Sequence, residues 1–429
     1  MRYVSLFIAT IATMLLSACA ADHVQTREKD VNERAAALLA KMTLEEKIGQ
    51  VIQADIAAVS ADDVRKYNLG SVLNGGNSAP GGGVTAKPEE WIALADGFWV
   101  ASTDTSDGGV GIPAIWGTDA VHGHNNLQNA TIFPHNIGLG AMRNAEVIKN
   151  IGSITAKEIR ATGLDWTFAP TLAVARDDRW GRAYESYSER PEIVAQYAQA
   201  MVLGLQGVSS DKGFLKGGNV VATAKHFIGD GGTQLGIDKG DAIGDVDELL
   251  KLHGAGYGPA INADVQTVMA SFSSINGKKM HGSKHLLTDV LRTQMGFEGF
   301  VVGDWEGHAE IPGCTPTNCM AALDAGIDMY MASNSWKGLY TSLLSQAKSG
   351  ELDLERLDEA ATRILKVKIR SGLLDAGPPS KRASANPDVL GAPEHRAIAR
   401  QAVRESLVLL KNQNSALPIT SNQKVLVTG

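Results

Sequence analysis

Short apolar runs alternate with longer amphipathic stretches along most of the chain. The runs are rich in β-branched and aromatic residues, which favours strands, and the stretches between them have the spacing of helices. Two such stretches, residues 146–163 and 284–296, end in glycine as helices often do. Eight alternating units predict an α/β fold, a (β/α)8 TIM-type barrel. The predicted strands are residues 51–56, 70–76, 112–119, 164–170, 220–227, 265–277, 299–305 and 326–333.

Polar side chains follow most of these strands at the point where each apolar run ends. Barrel enzymes carry their chemistry at the C-terminal ends of the strands. We therefore expect one active site at that end of the barrel. The polar strand ends are Asn74, Asp119, Arg176 to Arg182, Lys225-His226, Ser273 to Asn276, and Asp304.

The composition changes after residue 375. Residues 376–393 are rich in Pro, Ala and Ser, which is typical of a linker between domains. A helix is predicted at 394–412 and a strand at 424–429, and two such elements cannot bury a core. We therefore expect the barrel to span residues 25–375, and residues 394–429 to be the truncated start of a second domain, an α/β sandwich.

Charge and composition narrow the class of protein. The 429 residues are 44% hydrophobic and 20% charged, as in soluble globular proteins. The formal net charge is −7 and no basic stripe is visible, which argues against a nucleic-acid partner.

The N-terminus resembles an export signal. Residues 1–18 contain the basic Arg2 and an apolar run too short for a membrane span, followed by small residues. The residues before Cys19 resemble a bacterial lipobox, so we expect lipidation at Cys19. Ordinary cleavage after Ala20 or Ala21 is the alternative. With either lipidation or ordinary cleavage, we expect an exported protein that is periplasmic, anchored to the outer membrane, or secreted.

The two remaining cysteines, Cys314 and Cys319, are five positions apart. In an oxidising compartment they are expected to form a disulfide, with two inert thiols as the alternative. A zinc site is not expected, because no second pair of ligands accompanies them.

Asp304 ends an apolar strand next to Trp305. A carboxylate fixed and partly desolvated in this way can attack an anomeric carbon, and it can then leave again. The same position also suits a structural helix cap. The residues alone do not decide between the two interpretations.

Two further segments are suited to binding sugars. Lys225 and His226 close a strand and could bind hydroxyls, although His226 could instead be a core histidine. Residues 176–189 interleave arginines and acids with three aromatic residues. Aromatic faces stack on pyranose rings, so we expect this segment to form a sugar platform, with a salt-bridged surface loop as the alternative. The three aromatic residues are Trp180, Tyr184 and Tyr187.

His122 and His124 have the HxH spacing found in metal-dependent hydrolases. Such enzymes need further histidines and an aspartate at later strand ends. Here only His226 ends a later strand, and it follows a lysine. We therefore expect no metal at this site, and a role for the pair in the loop scaffold or a distant subsite.

Taken together, these segments resemble the N-terminal barrel domain of glycoside hydrolase family 3, in its exo-acting β-glucosidase and β-glucan glucohydrolase branch. The resemblance covers about residues 30–429, and its motifs occur in the family's order. The matching stretches are residues 38–50, 117–126, 131–141, 165–189, 224–232, 273–281 and 299–305.

The resemblance implies a retaining exo-hydrolase that releases glucose from the non-reducing ends of β-glucosides and β-glucan oligosaccharides, with no cofactor. It assigns the nucleophile to Asp304 and places Trp305 beside the next subsite. Some members carry tyrosine at the position of Phe272, so one hydroxyl contact is in doubt here. The residues expected to hold the terminal sugar are Asp119, Arg182, Lys225 and His226, with Glu185 in the same motif.

The second carboxyl of a retaining mechanism has no clear position in the barrel. Such enzymes place two carboxyls about 5–5.5 Å apart. Glu306 is the nearest candidate in sequence, whereas the resemblance assigns the acid to a glutamate of the following domain.

Three rival functions fit the sequence less well. A β-N-acetylhexosaminidase of the same family would carry a histidine as proton donor in the loop after His226, but residues 227–241 contain none. A metal-dependent amidohydrolase would need more metal ligands. A non-catalytic sugar-binding protein would not be expected to keep Asp304, although this argument applies to the whole gene product and leaves the alternative open for the 429-residue chain itself.

Overall fold

The computed structural model describes residues 24–75, 78–83 and 85–428. The predicted signal peptide and Cys19 lie outside the described residues. The helices are α1 (residues 24–39), α2 (Leu44–Gln50), α3 (Ala61–Lys66), α4 (Pro88–Thr103), α5 (Asn136–Met142), α6 (Ala145–Arg160), α7 (Pro191–Gln206), α8 (Val246–His253), α9 (Tyr257–Asn262), α10 (Met320–Ala325), α11 (Trp336–Ser349), α12 (Leu354–Arg370) and α13 (Pro393–Glu405), together with a π-helix, His285–Gln294.

The strands form two parallel sheets and one small mixed sheet. The first parallel sheet has the order β11-β1-β2-β3-β4 and the second β10-β7-β5, while β6, β8 and β9 form the mixed sheet. The strands are β1 (Ile52–Asp55), β2 (Ser71–Asn74), β3 (Ile115–Thr118), β4 (Trp166–Thr167), β5 (Thr223–Phe227), β6 (Asp241–Ala242), β7 (Thr267–Ala270), β8 (Ser274–Ile275), β9 (Lys278–Lys279), β10 (Phe300–Val302) and β11 (Tyr330–Met331).

The two parallel sheets close into one barrel. A parallel bridge between Trp166 and Val221 joins β4 to the residues before β5, and another between Val302 and Met329 joins β10 to the residues before β11. The ring therefore contains eight parallel strands. The predicted (β/α)8 barrel is confirmed, and each of the eight predicted strand segments contains one strand of the ring.

Large side chains fill the barrel interior. The indole of Trp166 makes edge contacts with Phe168 and Phe300, at ring-centre distances of 4.9 and 5.3 Å. Its N–H is satisfied by the hydroxyls of Thr223 and Thr267, at 2.8 and 3.1 Å. Burying this large ring is therefore compatible with its one polar group.

The two amphipathic segments are helical, as expected. In α6 the Asn144 side chain accepts a hydrogen bond from the backbone of Val147, which caps the helix start. The segment at 284–296 becomes a π-helix, in which the Met295 N–H donates to Val290, five residues earlier. Over ten residues the apolar spacing of a π-helix and an α-helix is too similar for the sequence to separate them.

The C-terminal segment differs from the prediction. Helix α13 ends at Glu405 instead of residue 412, and residues 424–428 form no strand. A strand needs a partner to satisfy its backbone groups, and these residues are exposed. The apolar side chains after α13 are exposed, and Leu410 is 91% exposed.

The predicted linker is fixed to the barrel. The Arg382 side chain is 8% exposed and donates to Asp165 at 2.8 Å, and the Gly391 N–H donates to Glu158 at 3.0 Å. Helix α13 then packs against α5 and α6. Residues 376–405 therefore lie on the barrel surface, and the division of the chain into two domains remains a prediction.

Two other features bear on export. Cys314 and Cys319 are joined in a disulfide. Within residues 24–75, 78–83 and 85–428, no helix has both the length and the apolar character needed to cross a bilayer.

Candidate active site

A cavity of about 320 Å³ opens at the C-terminal end of the barrel strands. Its volume is within the usual range for small-ligand sites. The structure brings all seven residues proposed from the sequence into its lining, although their roles remain predictions. They are Asp119, Arg182, Glu185, Lys225, His226, Asp304 and Trp305.

An ion pair between Lys225 and Asp119 forms one wall of the cavity. Lys225 is buried at the end of β5, and its Nζ donates to Asp119 Oδ1 at 2.8 Å. A buried ammonium is costly unless it is paired, so Asp119 compensates its charge. The backbone carbonyl of Asp119 accepts a hydrogen bond from Asn126 at 3.1 Å, which helps to fix the loop after β3.

A second pair lies in the loop between β4 and α7. Arg182 donates two hydrogen bonds to Glu185, at 2.6 and 3.0 Å. Burial alone would raise the pKa of Glu185, but the hydrogen bond and charge of Arg182 outweigh it and lower that pKa to about 2. Burial alone would lower the pKa of Arg182, but Glu185 holds it above its ordinary value. Both groups are therefore charged at neutral pH.

His226 lies between the second pair and Asp304. Its Nε2 is 3.2 Å from an Arg182 nitrogen and 3.8 Å from Asp304 Oδ2. Its Nδ1 is 2.9 Å from Asp230 Oδ2. Because arginine can only donate, this network assigns the proton to Nδ1 and leaves Nε2 as an acceptor. Sequence reasoning missed Asp230; its position four residues after His226 was the available signal.

Asp304 follows β10 and is held by its neighbours. Its backbone N–H donates to His281 Nε2 at 2.9 Å, and its Oδ1 accepts a hydrogen bond from the backbone N–H of Trp305 at 2.7 Å. Its Oδ2 is buried and accepts no hydrogen bond from the described residues. The carboxylate is therefore fixed in direction and keeps one oxygen available for reaction.

Glu306, the barrel candidate for the second carboxyl, points elsewhere. It does not line the cavity. Its carboxylate accepts hydrogen bonds from the backbone of Asn334 and Ser335 and from the Ser335 hydroxyl, at 2.8, 3.1 and 2.6 Å. These contacts anchor the start of α11, and Glu306 itself has a left-handed backbone with a φ of 51°.

The histidines of the HxH motif lie in different environments. His124 is fully buried near Trp91 and contacts the Thr162 hydroxyl at 3.0 Å, and burial lowers its pKa to about 4. His122 lines the cavity and lies against His135, with ring centres 4.2 Å apart. Among the described residues no group of three or more His, Cys, Asp and Glu side chains is arranged to hold a metal ion.

Only one of the three expected platform aromatics reaches the cavity. Tyr184 is 45% exposed, lines the cavity and contacts His135, whereas Trp180 and Tyr187 are buried. The prediction for the last two was wrong, because they pack into the core. His135 was missed by the sequence reasoning.

The other walls also involve aromatic residues. The Trp305 ring lies so close to the backbone of Gly75 that a Cβ there would be 2.7 Å from it. Phe272 does not line the cavity, and its ring is covered by Lys239, whose Nζ is 3.9 Å from the ring centre. Trp305, which directly follows the candidate nucleophile in the chain, therefore lines the cavity, whereas Phe272 does not.

Comparison with known proteins identifies the family. The family described as glycosyl hydrolase family 3 N terminal domain matches residues 43–367. This chain belongs to glycosyl hydrolase family 3. The resemblance stated from the sequence is thereby confirmed.

Curated and solved relatives agree with this family. A lysosomal β-glucosidase of Dictyostelium discoideum is 32% identical over 91% of this chain and 50% of its own length. A periplasmic β-glucosidase of Salmonella typhimurium is 30% identical over 91% of this chain and 49% of its own length. The chain thus spans about half the length of these curated relatives.

Solved structures of an exo-β-glucanase and a β-glucosidase have the same fold. An exo-1,3/1,4-β-glucanase from a Pseudoalteromonas species superposes with a TM-score of 0.89 and 51% identity, covering 91% of this chain and 49% of the other. A β-glucosidase variant from Listeria innocua in complex with laminaribiose gives 0.78 and 27%, covering 90% and 53%.

Proposed function

We propose that this protein is a retaining exo-hydrolase that releases glucose from the non-reducing ends of β-glucosides and β-glucan oligosaccharides. The observation that carries the proposal is the fixed carboxylate of Asp304, which keeps one oxygen free inside a cavity lined by paired charges. The names of the relatives, β-glucosidase and exo-1,3/1,4-β-glucanase, support this substrate class.

In the proposed reaction Asp304 Oδ2 bonds to the anomeric carbon while the bond from that carbon to the leaving oxygen breaks. A proton donor delivers a proton to the leaving oxygen. Water, deprotonated by the same group, then bonds to the anomeric carbon and frees the carboxylate. Two inversions at one carbon retain the β configuration.

The charged pairs would bind the hydroxyls of the terminal sugar. Asp119 and Glu185 can accept hydroxyl protons, while Lys225 and Arg182 donate to hydroxyl oxygens. The pairs are already formed in this structure, at 2.6–3.0 Å. Hydroxyl contacts that strengthen in the oxocarbenium-like transition state would lower the barrier by several kcal/mol.

We infer that the proton donor is not a carboxyl group of this cavity. Asp119 and Glu185 are bound to cations, and the hydrogen bond and charge of Arg182 outweigh burial and hold the pKa of Glu185 too low for an acid catalyst. Glu306 is engaged at the start of α11. The donor expected from family members, a glutamate of a following domain, is compatible with this geometry.

The experiment compares two substrates. With 2,4-dinitrophenyl β-glucoside, whose leaving group needs no proton, the 429-residue chain should release dinitrophenolate and accumulate a glucosyl ester on Asp304, detected by peptide mass spectrometry. Cellobiose and laminaribiose should not be hydrolysed. Asp304→Ala should lose at least about 10⁴-fold in rate, as removal of a nucleophile does elsewhere, while still binding glucose.

Three results would contradict the proposal. A substantial rate in Asp304→Ala would exclude that residue as nucleophile. Normal hydrolysis of cellobiose by this chain would locate the acid within it. Faster reaction with an N-acetylglucosaminide, or loss of activity on chelation of metal, would favour the hexosaminidase or the amidohydrolase.

We also propose that the protein is exported and lipidated at Cys19. The apolar N-terminal run, the disulfide between Cys314 and Cys319, and the periplasmic relative from Salmonella support export. Mass spectrometry of the N-terminal peptide from producing cells should find a lipid on Cys19. A free N-terminus after Ala20 or Ala21 would contradict lipidation and leave export intact.

A further inference from the structure

His281 contacts the main chain of the candidate nucleophile and does not line the cavity. It follows β9 and is 1% exposed. Its Nε2 accepts the backbone N–H of Asp304 at 2.9 Å. The contact is therefore to the main chain of the reacting residue and not to its carboxylate.

The loop that carries Asp304 is folded around the His281 ring. A Cβ at Gly307 would overlap the ring, and one at Gly303 would be 3.4 Å from it. The His281 ring therefore fits beside Gly307 only because that residue has no side chain. Phe272 lies on another side, with ring centres 6.0 Å apart.

The neighbouring backbone groups of the loop are fixed by strand β11 and the residue before it. The Gly303 N–H donates to Met329 and the Glu306 N–H donates to Met331, both at 2.9 Å. The N–H of Asp304 lies between these two and donates to His281 instead. Without the imidazole this buried donor would have no partner, which costs free energy and favours a different backbone direction.

The imidazole is held in the form that can accept. Burial lowers the pKa of His281 to about 3, and the neighbouring His308 and Lys279 act in the same direction, against a hydrogen bond with the Ser271 backbone. Nε2 therefore keeps its lone pair at every pH at which the enzyme would work.

We propose that His281 is a positioning residue for the nucleophile: by accepting the backbone N–H of Asp304 it sets the direction of the carboxylate. The inference rests on the proposed function. Asp304 Oδ2 has no hydrogen-bond partner among the described residues, so its direction depends on the backbone and on the contact of Oδ1 with Trp305. A displacement of about 1 Å at a reacting group can cost about 100-fold in rate.

The first arm of the test replaces the acceptor. In the 429-residue chain, His281→Phe keeps a ring but removes Nε2, so the rate of ester formation on Asp304 from 2,4-dinitrophenyl β-glucoside should fall about 100-fold. The Kd for glucose should stay within about threefold. His281→Gln offers an acceptor at similar reach, so its rate of ester formation should be at least about tenfold higher than that of His281→Phe.

A buried histidine that contacts Trp91 and Thr162 and does not line the cavity serves as the matched control. His124→Phe also removes a buried imidazole and its contact with Thr162. It should lower the melting temperature as much as His281→Phe does, yet keep the rate of ester formation within about threefold. A rate that falls equally in both variants would assign His281 a general structural role and overturn the proposal.

The second arm leaves His281 intact. Gly307→Ala forces the ring to move, whereas Gly303→Ala makes an ordinary contact with it. Only Gly307→Ala should slow ester formation. If His281→Phe does not fold, this comparison still tests whether the position of the His281 ring controls the reaction of Asp304. Equal rates in the two alanine variants would refute the inference. A parent chain that forms no ester would instead overturn the proposed function itself.

Discussion

Replacing Asp328 by asparagine tests how strongly one buried carboxylate holds the strands that carry the site. Asp328 is fully buried between β10 and β11. It accepts hydrogen bonds from Arg356 at 2.7 Å, from Arg363 at 3.0 Å, from the Val301 backbone at 2.8 Å, and from Arg292. Three guanidinium groups therefore share one carboxylate beneath the strand that leads to Asp304.

The expected cost follows from these contacts. An asparagine keeps one carbonyl oxygen, but its NH2 group would face an arginine donor, so at least two charge-assisted hydrogen bonds are lost at about 1.5–3 kcal/mol each. Removing one partner of a buried ion pair costs about 3–5 kcal/mol in other proteins. We therefore expect Asp328→Asn to lower the free energy of unfolding by about 3–5 kcal/mol.

The effect should also depend on pH. Burial alone would raise the pKa of Asp328, but the three arginines outweigh it and hold that pKa below its ordinary value. A lowered folded-state pKa means that the stabilisation is complete above the ordinary value of 3.8 and is lost as the pH falls through the folded-state value. The difference between parent and variant should be constant from about pH 5 to 8 and shrink below about pH 4.

Urea unfolding followed by circular dichroism measures the cost. Asp375→Asn is the matched control, because Asp375 also accepts two arginine hydrogen bonds, from Arg34 at 3.0 and 2.9 Å, but its side chain is 64% exposed. Its loss should cost less than about 1 kcal/mol. Equal costs for the two variants, or less than about 1 kcal/mol for Asp328→Asn, would refute the argument that burial sets the magnitude.

Two further predictions concern groups outside the cavity. Lys368 is fully buried, its Nζ donates to Gln50 at 2.7 Å, and burial lowers its pKa to about 7. The unfolded pKa is about 10.4, so the parent gains stability as the pH rises between these two values, whereas Lys368→Met does not. In urea unfolding, the stability of Lys368→Met relative to the parent should therefore fall by about 3 kcal/mol between pH 6 and pH 9, and parallel pH profiles would contradict this. Glu306→Ala should lower the free energy of unfolding by about 1–2 kcal/mol, as loss of a helix cap does, and Glu306→Gln by less than half of that; equal losses would argue against its role at α11.

The barrel could be predicted because its strands are buried on both faces. Such strands appear in the sequence as nearly continuous apolar runs, and all eight runs contain a strand of the ring. Polar residues at the run ends then had to meet at one end of a parallel barrel. Lys225 and His226 at the end of β5 and Asp304 after β10 are examples.

Contacts between distant loops could not be predicted in the same way. Residues 176–189 have no regular period, so nothing in the sequence indicates that Tyr184 faces the cavity while Trp180 is buried. His281 acts on Asp304 from a loop 23 positions earlier, and its role depends on the small space beside Gly307. Such contacts arise from tertiary packing, which local residue patterns do not encode.

The buried carboxylate of Glu158 links a loop of the site to residues 391–395, which are distant in the chain. Glu158 is fully buried in α6 and accepts hydrogen bonds from the backbone and hydroxyl of Thr131, at 2.7 and 2.8 Å. The same carboxylate contacts the backbone of Gly391 at 3.0 Å and His395 at 2.8 Å. Thr131 begins the irregular segment that leads to His135 beside the cavity. A carboxylate buried this deeply needs all of these donors, so the position of that loop and the packing of residues 391–395 depend on each other.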